Sequence, residues 1–158
     1  MGIDVTDSVT IDAPRQTVWA ALADPGAWGA WNPFVNRVAG THALDATRTV
    51  TGVYGKAEGT SVERCVAYEA GRSIKWLAES DSNGFSGRMA TDVTAEFTLA
   101  DAGAGKTTAT ARTAFVPQRL FLKLMAPALR GQVAKANRSR LGGLKLYLET
   151  GQVAPKGK

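Results

Sequence analysis

Two residues stand where their chemistry conflicts with the pattern around them, Asp7 and Asn137. Asp7 falls between Val5 and Val9, in the apolar phase of an alternating segment. Its carboxyl therefore points into the protein or, through a β-bulge, is turned back to solvent. Asn137 lies four residues from both Val133 and Leu141 on an apolar helical stripe. There an unpartnered amide costs ~1–3 kcal/mol, so it requires a hydrogen bond to the sheet, a water or a ligand. Tyr54, Tyr68 and Arg88 are the other groups able to move or orient a proton, but no two carboxylates stand at the spacing of an acid–base pair.

Most other chemistry is excluded by counting. One histidine, His42, and one cysteine, Cys65, are too few for a structural zinc, a CxxC redox pair or a disulfide framework. No metal or other cofactor is expected, and no serine sits in a nucleophile-elbow context that His42 could serve. Ala102-Gly103-Ala104-Gly105-Lys106-Thr107 imitates part of a P-loop, but Ala100 occupies the first glycine position and a strand, not a helix, follows. A hairpin turn is the expectation there. The start, Met1 to Asp7, lacks the charged and apolar regions of a secretory signal, so a cytoplasmic location is expected.

The elements that must hold these residues follow from periodicity. Ile3, Val5, Val9 and Ile11 mark a strand, and Pro14 opens a short helix with Val18, Trp19, Ala21 and Leu22 on its apolar side and Asp12 as a candidate cap. Asp24-Pro25-Gly26 stops it, and Trp28 and Trp31 share one side of a second short helix. Strand patterns follow over about 35–42, 47–54, 60–68, 73–79, 88–99 and 106–115, separated by hairpin-length turns, which predicts an antiparallel meander. After Phe115 the period changes: Leu129, Val133, Asn137, Leu141, Leu144 and Leu148 predict a long helix over 127–150, opened by Pro127. With 158 residues, the chain is read as one domain over 1–150 and a flexible tail over 151–158.

Charge is uneven. Between Pro117 and Thr150 stand seven basic residues and one acidic residue, Glu149, within an overall net charge of +5. The face is expected to be solvated, with docking to an acidic protein, membrane or polyanion as the alternative; no specific nucleic acid partner is expected.

The inward phase of the sheet is slim, with Ala78, Ala95, Ala109 and Ala111 where larger side chains would fill a core. A long helix across such a surface leaves room for a ligand. The expected walls are Trp31, Trp76, Thr91, Phe97, Phe115, Leu129, Val133, Asn137 and Leu141, with Asp7, Tyr54 and Arg88 as polar groups. Leu120, Phe121, Leu124 and Met125, between Pro117 and Pro127, form a candidate lid.

The succession Ile11-Asp12-Ala13-Pro14, Val18-Trp19, Asp24-Pro25, Trp28, Trp31-Asn32-Pro33-Phe34, Glu69 to Trp76 and the long helix ending Leu144 to Glu149 resembles the START-like, or SRPBCC, superfamily. Within it the sequence is most similar to bacterial polyketide cyclase/dehydrase-type proteins. The resemblance implies an α+β helix-grip fold: a seven-stranded antiparallel sheet wrapped around a long C-terminal helix, with two short helices closing a hydrophobic cavity. It places Asn32 beside Trp31 at the cavity end. The expected function is binding of a polyketide, fatty acid or isoprenoid-like molecule by a monomer or homodimer. A polyketide cyclase or dehydratase acting in the same cavity is the alternative, and no catalytic residue is assigned because the fold serves several activities.

Overall fold

The computed structural model describes residues 2–54 and 56–157, with the backbone alone at Tyr54. Seven strands, β1 (Ile3–Ile11), β2 (Val35–Gly40), β3 (Thr47–Tyr54), β4 (Ala57–Glu69), β5 (Ser73–Asp81), β6 (Ala90–Asp101) and β7 (Thr107–Pro117), form one antiparallel sheet. Its order is β1-β7-β6-β5-β4-β3-β2, so the meander from β2 to β7 is closed by the first strand returning beside the last. Helices α1 (Arg15–Ala23) and α2 (Trp28–Trp31) connect β1 to β2, and α3 (Leu120–Leu124) leads into α4 (Ala126–Thr150). This is the helix-grip, START-like fold.

Period-two patterning decides which side chains meet under α4. One cross-strand row runs Cys65, Trp76, Ala95, Thr113, Val5, and the next runs Ile74, Phe97, Ala111, Asp7. The β1–β7 register is continuous through Asp7, so no bulge turns this carboxyl away. It faces α4, where Oδ1 meets Arg138 at 3.4 Å while Oδ2 is buried without a hydrogen-bond partner. The bulge falls instead on β6, between Thr91 and Thr94, where Asp92 takes a positive φ of 53°.

The core has two parts. Trp28, Trp31, Ile74, Phe97, Leu141 and Leu144 dominate the larger, at the end covered by α1 and α2. Ile3, Ala90 and Phe115, with Phe85, Leu129 and Val133 packed on them, form the smaller at the start of α4. Asn137 ties the helix between them to the sheet: Nδ2 donates to the carbonyls of Val5 (3.1 Å) and Ala111 (3.4 Å), and Oδ1 accepts from Thr113 (2.8 Å) and Arg140 (3.3 Å). A fully buried amide is thereby matched on both sides.

Local expectations are adjusted at the helix ends. Pro14, not Asp12, is the cap residue of α1, and the Asp12 N–H donates to Glu149 at the far end of α4 (2.8 Å). Gly151 ends α4 in the left-handed conformation, φ 75°. Residues 151–157, expected as a flexible tail, lie along α2. Ala154 N–H donates to Ala30 O (2.8 Å), Gly157 N–H to Pro33 O (2.9 Å), and the Lys156 ammonium reaches the carbonyls of Gly29, Asn32 and Val35.

The approach of α2 to α4 depends on Gly143, where a Cβ would run into the Trp31 carbonyl oxygen, whereas one at neighbouring Gly142 meets open space. Gly143→Ala is expected to destabilise the protein by ~1–3 kcal/mol through backbone displacement. Gly142→Ala is expected to stabilise it by up to ~1 kcal/mol through helix propensity. Urea denaturation of the two variants checks the opposite signs.

Candidate ligand cavity

A cavity of about 490 Å³ opens between the concave faces of β4 to β7, the β5–β6 connection and α4. Its apolar wall is Trp76, Ala78, Phe85, Met89, Val93 and Ala95. Polar groups converge from three directions: Ser61 and Glu63 on β4, Asp81, Asn83 and Ser86 at the connection, and Thr113 with Arg140 opposite. Trp76 is 1% exposed, and its indole N–H has no hydrogen-bond partner within the protein.

Behind the Trp76 wall lies a buried cation. Arg48, 3% exposed, stands opposite Glu63 in the β3–β4 register; its Nε and Nη2 donate to Glu63 Oε2 at 2.8 and 2.7 Å. Ser61 donates to the other carboxylate oxygen at 3.0 Å. The guanidinium carbon sits 4.1 Å from the Trp28 ring centroid and 3.8 Å from that of Trp76, an aromatic sandwich that favours a desolvated cation. Arg48 Nη1 also donates to His42 Nε2 (3.1 Å), which fixes the imidazole tautomer with its proton on Nδ1, donated to Leu22 O (3.0 Å). Burial, reinforced by the Arg48 charge, lowers the His42 pKa from 6.5 to about 4.

Asp81 organises the other rim. Its two oxygens accept the Phe85 and Ser86 N–H groups, which folds the connection over the cavity mouth and places Phe85 in its wall. Burial pushes this carboxyl up, but the Ser86 and Phe85 hydrogen bonds outweigh it and hold the pKa below its ordinary value.

The expected site residues are spread over three environments. Trp76 lines the cavity, as do the small residues Ala78 and Ala95, while Ala109 and Ala111 are packed in the core. Trp31, Phe97 and Leu141 fill the larger core cluster; Phe115, Leu129 and Val133 belong to the smaller one, with Phe115 edge-on to the cavity residue Phe85 (5.3 Å). Asn32 is buried under the C-terminal segment, its Oδ1 accepting the Phe34 N–H (3.1 Å). Asn137 supports Thr113 and Arg140 from behind. The β6 bulge takes Thr91 out of the inward phase, and its hydroxyl accepts from the Gln118 side chain (3.0 Å). Asp7 is engaged with α4, Arg88 is exposed on the β5–β6 connection, and the Tyr54 side chain lies outside the described residues. Leu120, Phe121, Leu124 and Met125 all face solvent, and Leu122 is the residue of α3 that packs inward.

Sequence reasoning missed Arg48, Glu63 and Ser61. The signal was present: Arg48 shares a phase with buried Val50, and Ser61 and Glu63 share one with buried Cys65. Two opposite charges in the inward phases of neighbouring strands suit a buried pair, but only the register puts them face to face.

Fold and cavity together define an α+β domain of helix-grip architecture with an internal ligand-sized space. The chain belongs to the polyketide cyclase / dehydrase and lipid transport family, whose sequence signature matches residues 2–149. No curated protein matches the sequence significantly. Among solved structures it is similar to the Zhui aromatase/cyclase from Streptomyces sp. R1128, at 17% identity and TM-score 0.69 over 96% of this chain and 98% of that one. It is similar to a START superfamily protein from Mycobacterium smegmatis at 15% identity and TM-score 0.64, over 89% and 98% of the two chains. The di-domain ARO/CYC StfQ from the steffimycin biosynthetic pathway matches at 14% identity and TM-score 0.75, over 94% of this chain and 52% of that one. Identities this low establish the shared fold.

The buried imidazole makes stability depend on acid. Between pH 6.5 and about 4 the unfolded chain binds a proton at His42 that the folded protein refuses, so stability falls as pH drops through this window. The loss approaches ~3 kcal/mol. His42→Gln is expected to remove this part of the slope, checked by comparing denaturation free energies of the two proteins across the window.

Proposed function

We propose that this protein binds a small, mainly apolar molecule, of the polyketide, fatty-acid or isoprenoid type, in the space walled by Trp76, Phe85 and Ala95. The observation that carries this reading is the cavity itself. Its volume of about 490 Å³ lies within the ~300–1,000 Å³ typical of small-molecule sites, and its wall is mostly apolar with a few polar groups at its edges. The carboxylates nearby are committed: Glu63 is held by Arg48 and Ser61, and Asp81 by two backbone N–H groups. Polar groups fixed in this way orient a ligand without needing to exchange protons with it.

A cyclase or dehydratase acting in the same cavity is the second reading. It is favoured by the placement of a carboxylate, Glu63, and a guanidinium, Arg140, on the wall of one apolar space. There the first could accept a proton from an enolisable carbon while the second polarises a carbonyl. The family description and the aromatase/cyclase of similar fold agree with this chemistry.

Filling the space separates cavity binding from surface adsorption. Ala95→Phe, with the new ring projecting into the hollow, is expected to weaken binding of the fluorescent apolar probe anilinonaphthalene sulfonate by roughly tenfold or more. Fluorescence titration of the two proteins, with melting curves to verify the fold, gives the comparison. Equal affinity would place the probe elsewhere and overturn the cavity reading.

A further inference from the structure

Of the six exposed large apolar side chains among the described residues, Leu44 and Val153 stand apart and the other four are clustered. Leu120 is 72% exposed, Leu124 75%, Phe121 49% and Met125 47%, and all four belong to α3 and its cap. At 100° per residue they occupy about 140° of the helix circumference, opposite Leu122, the one residue of the turn that is buried. Burying four apolar side chains against water would be favourable, yet the fold leaves them outside and fixes the segment between Pro117 and Pro127.

Charge surrounds this tip. Arg119, Lys123 and Arg130 are exposed beside or within it, and the sequence holds no acidic residue from Pro117 through Leu148. Apolar side chains at the apex with cations at the flanks suit an interface where hydrocarbon lies beneath a layer of negative charge. We propose that α3 docks this protein on a bilayer surface carrying anionic headgroups, inserting Leu120, Phe121, Leu124 and Met125 while Arg119, Lys123 and Arg130 contact the phosphates.

Two other occupants fit less well. A second copy docking tip to tip would bring two sets of three cations together in one interface. A nucleic acid would satisfy the cations and leave the apolar apex in water. The tip is also connected to the cavity mouth: Gln118 N–H donates to Met89 O (2.8 Å), and Ala126 and Leu129 pack in the same cluster as Phe85. Docking therefore sets the β5–β6 connection, which walls the cavity, close to the lipid. The proposal does not depend on what the cavity holds.

Co-sedimentation of the full chain with vesicles provides the test, using phosphatidylcholine mixed with phosphatidylglycerol against phosphatidylcholine alone. Binding is expected to the anionic vesicles, to weaken as salt is raised, and to fall by on the order of tenfold or more in Leu120→Ser/Leu124→Ser. Lys123→Gln, which leaves the apolar apex intact, is expected to lose about fivefold. Both variants change exposed side chains, and unchanged melting curves with unchanged anilinonaphthalene sulfonate affinity would show that fold and cavity are intact. Wild-type protein remaining in the supernatant would overturn the proposal, as would variants that bind like wild type. Retention on heparin without vesicle binding would assign the charge to a polyanion. A dimer abolished by Leu120→Ser/Leu124→Ser, with no vesicle binding, would assign the tip to self-association.

Discussion

A guanidinium removed from water has to be compensated at close range, and in this protein compensation of Arg48 joins five parts of the chain. Glu63 and Ser61 come from β4, Trp76 from β5, Trp28 from α2, and His42 links the cation to the carbonyl of Leu22 in α1. A buried charge that loses its partner costs ~3–5 kcal/mol, far more than the pair is worth against a hydrophobic replacement. The network ties α1, α2 and the segment carrying His42 to the sheet at a single cation. Trp76, with one face against the cation, is held where it also forms the cavity wall.

The cavity persists because its two ends are filled by different means. The larger core cluster closes one end with the rings of Trp28, Trp31 and Phe97, mutually edge-on or tilted at centroid separations of 4.7 to 5.7 Å. Phe85 against Phe115, with Leu129 and Val133, closes the other. Between them Ala78 and Ala95 present only methyl groups, and the hydrogen bonds of Asn137 fix the distance of α4 from the sheet. Collapse would have to break those bonds in a buried setting, which opposes it.

Much of this was legible in the residues themselves. Alternation located all seven strands, and the heptad-like spacing from Leu129 to Leu148 located α4. The alanine phases of β5 and β6 announced a thin inner surface, and Asn137 on an apolar stripe announced a hydrogen-bond partner, whether the sheet, a water or a ligand. What remained hidden depended on pairs distant in sequence. Arg48 and Glu63 are separated by fifteen residues, Trp28 and Trp76 by forty-eight, and Phe85 reaches the cavity because Asp81 folds its own loop. The Asp92 bulge that removes Thr91 from the inward phase carries no composition signal.

The sequence by itself determined the class of the molecule: hydrophobic periodicity sets which elements form and which face of each is buried, and these are properties of neighbouring residues. Only the tertiary structure decided where the hollow lies and which side chains border it. Those depend on strand register, where a shift of one residue exchanges the faces, and on how far α4 stands from the sheet. Trp31 and Trp76 are almost equally buried and both belong to the larger core cluster, yet only Trp76 also borders the cavity. Each satisfies its own local pattern, helical for Trp31 and alternating for Trp76, and neither pattern tells which ring meets the hollow: that is decided by what lies across the sheet.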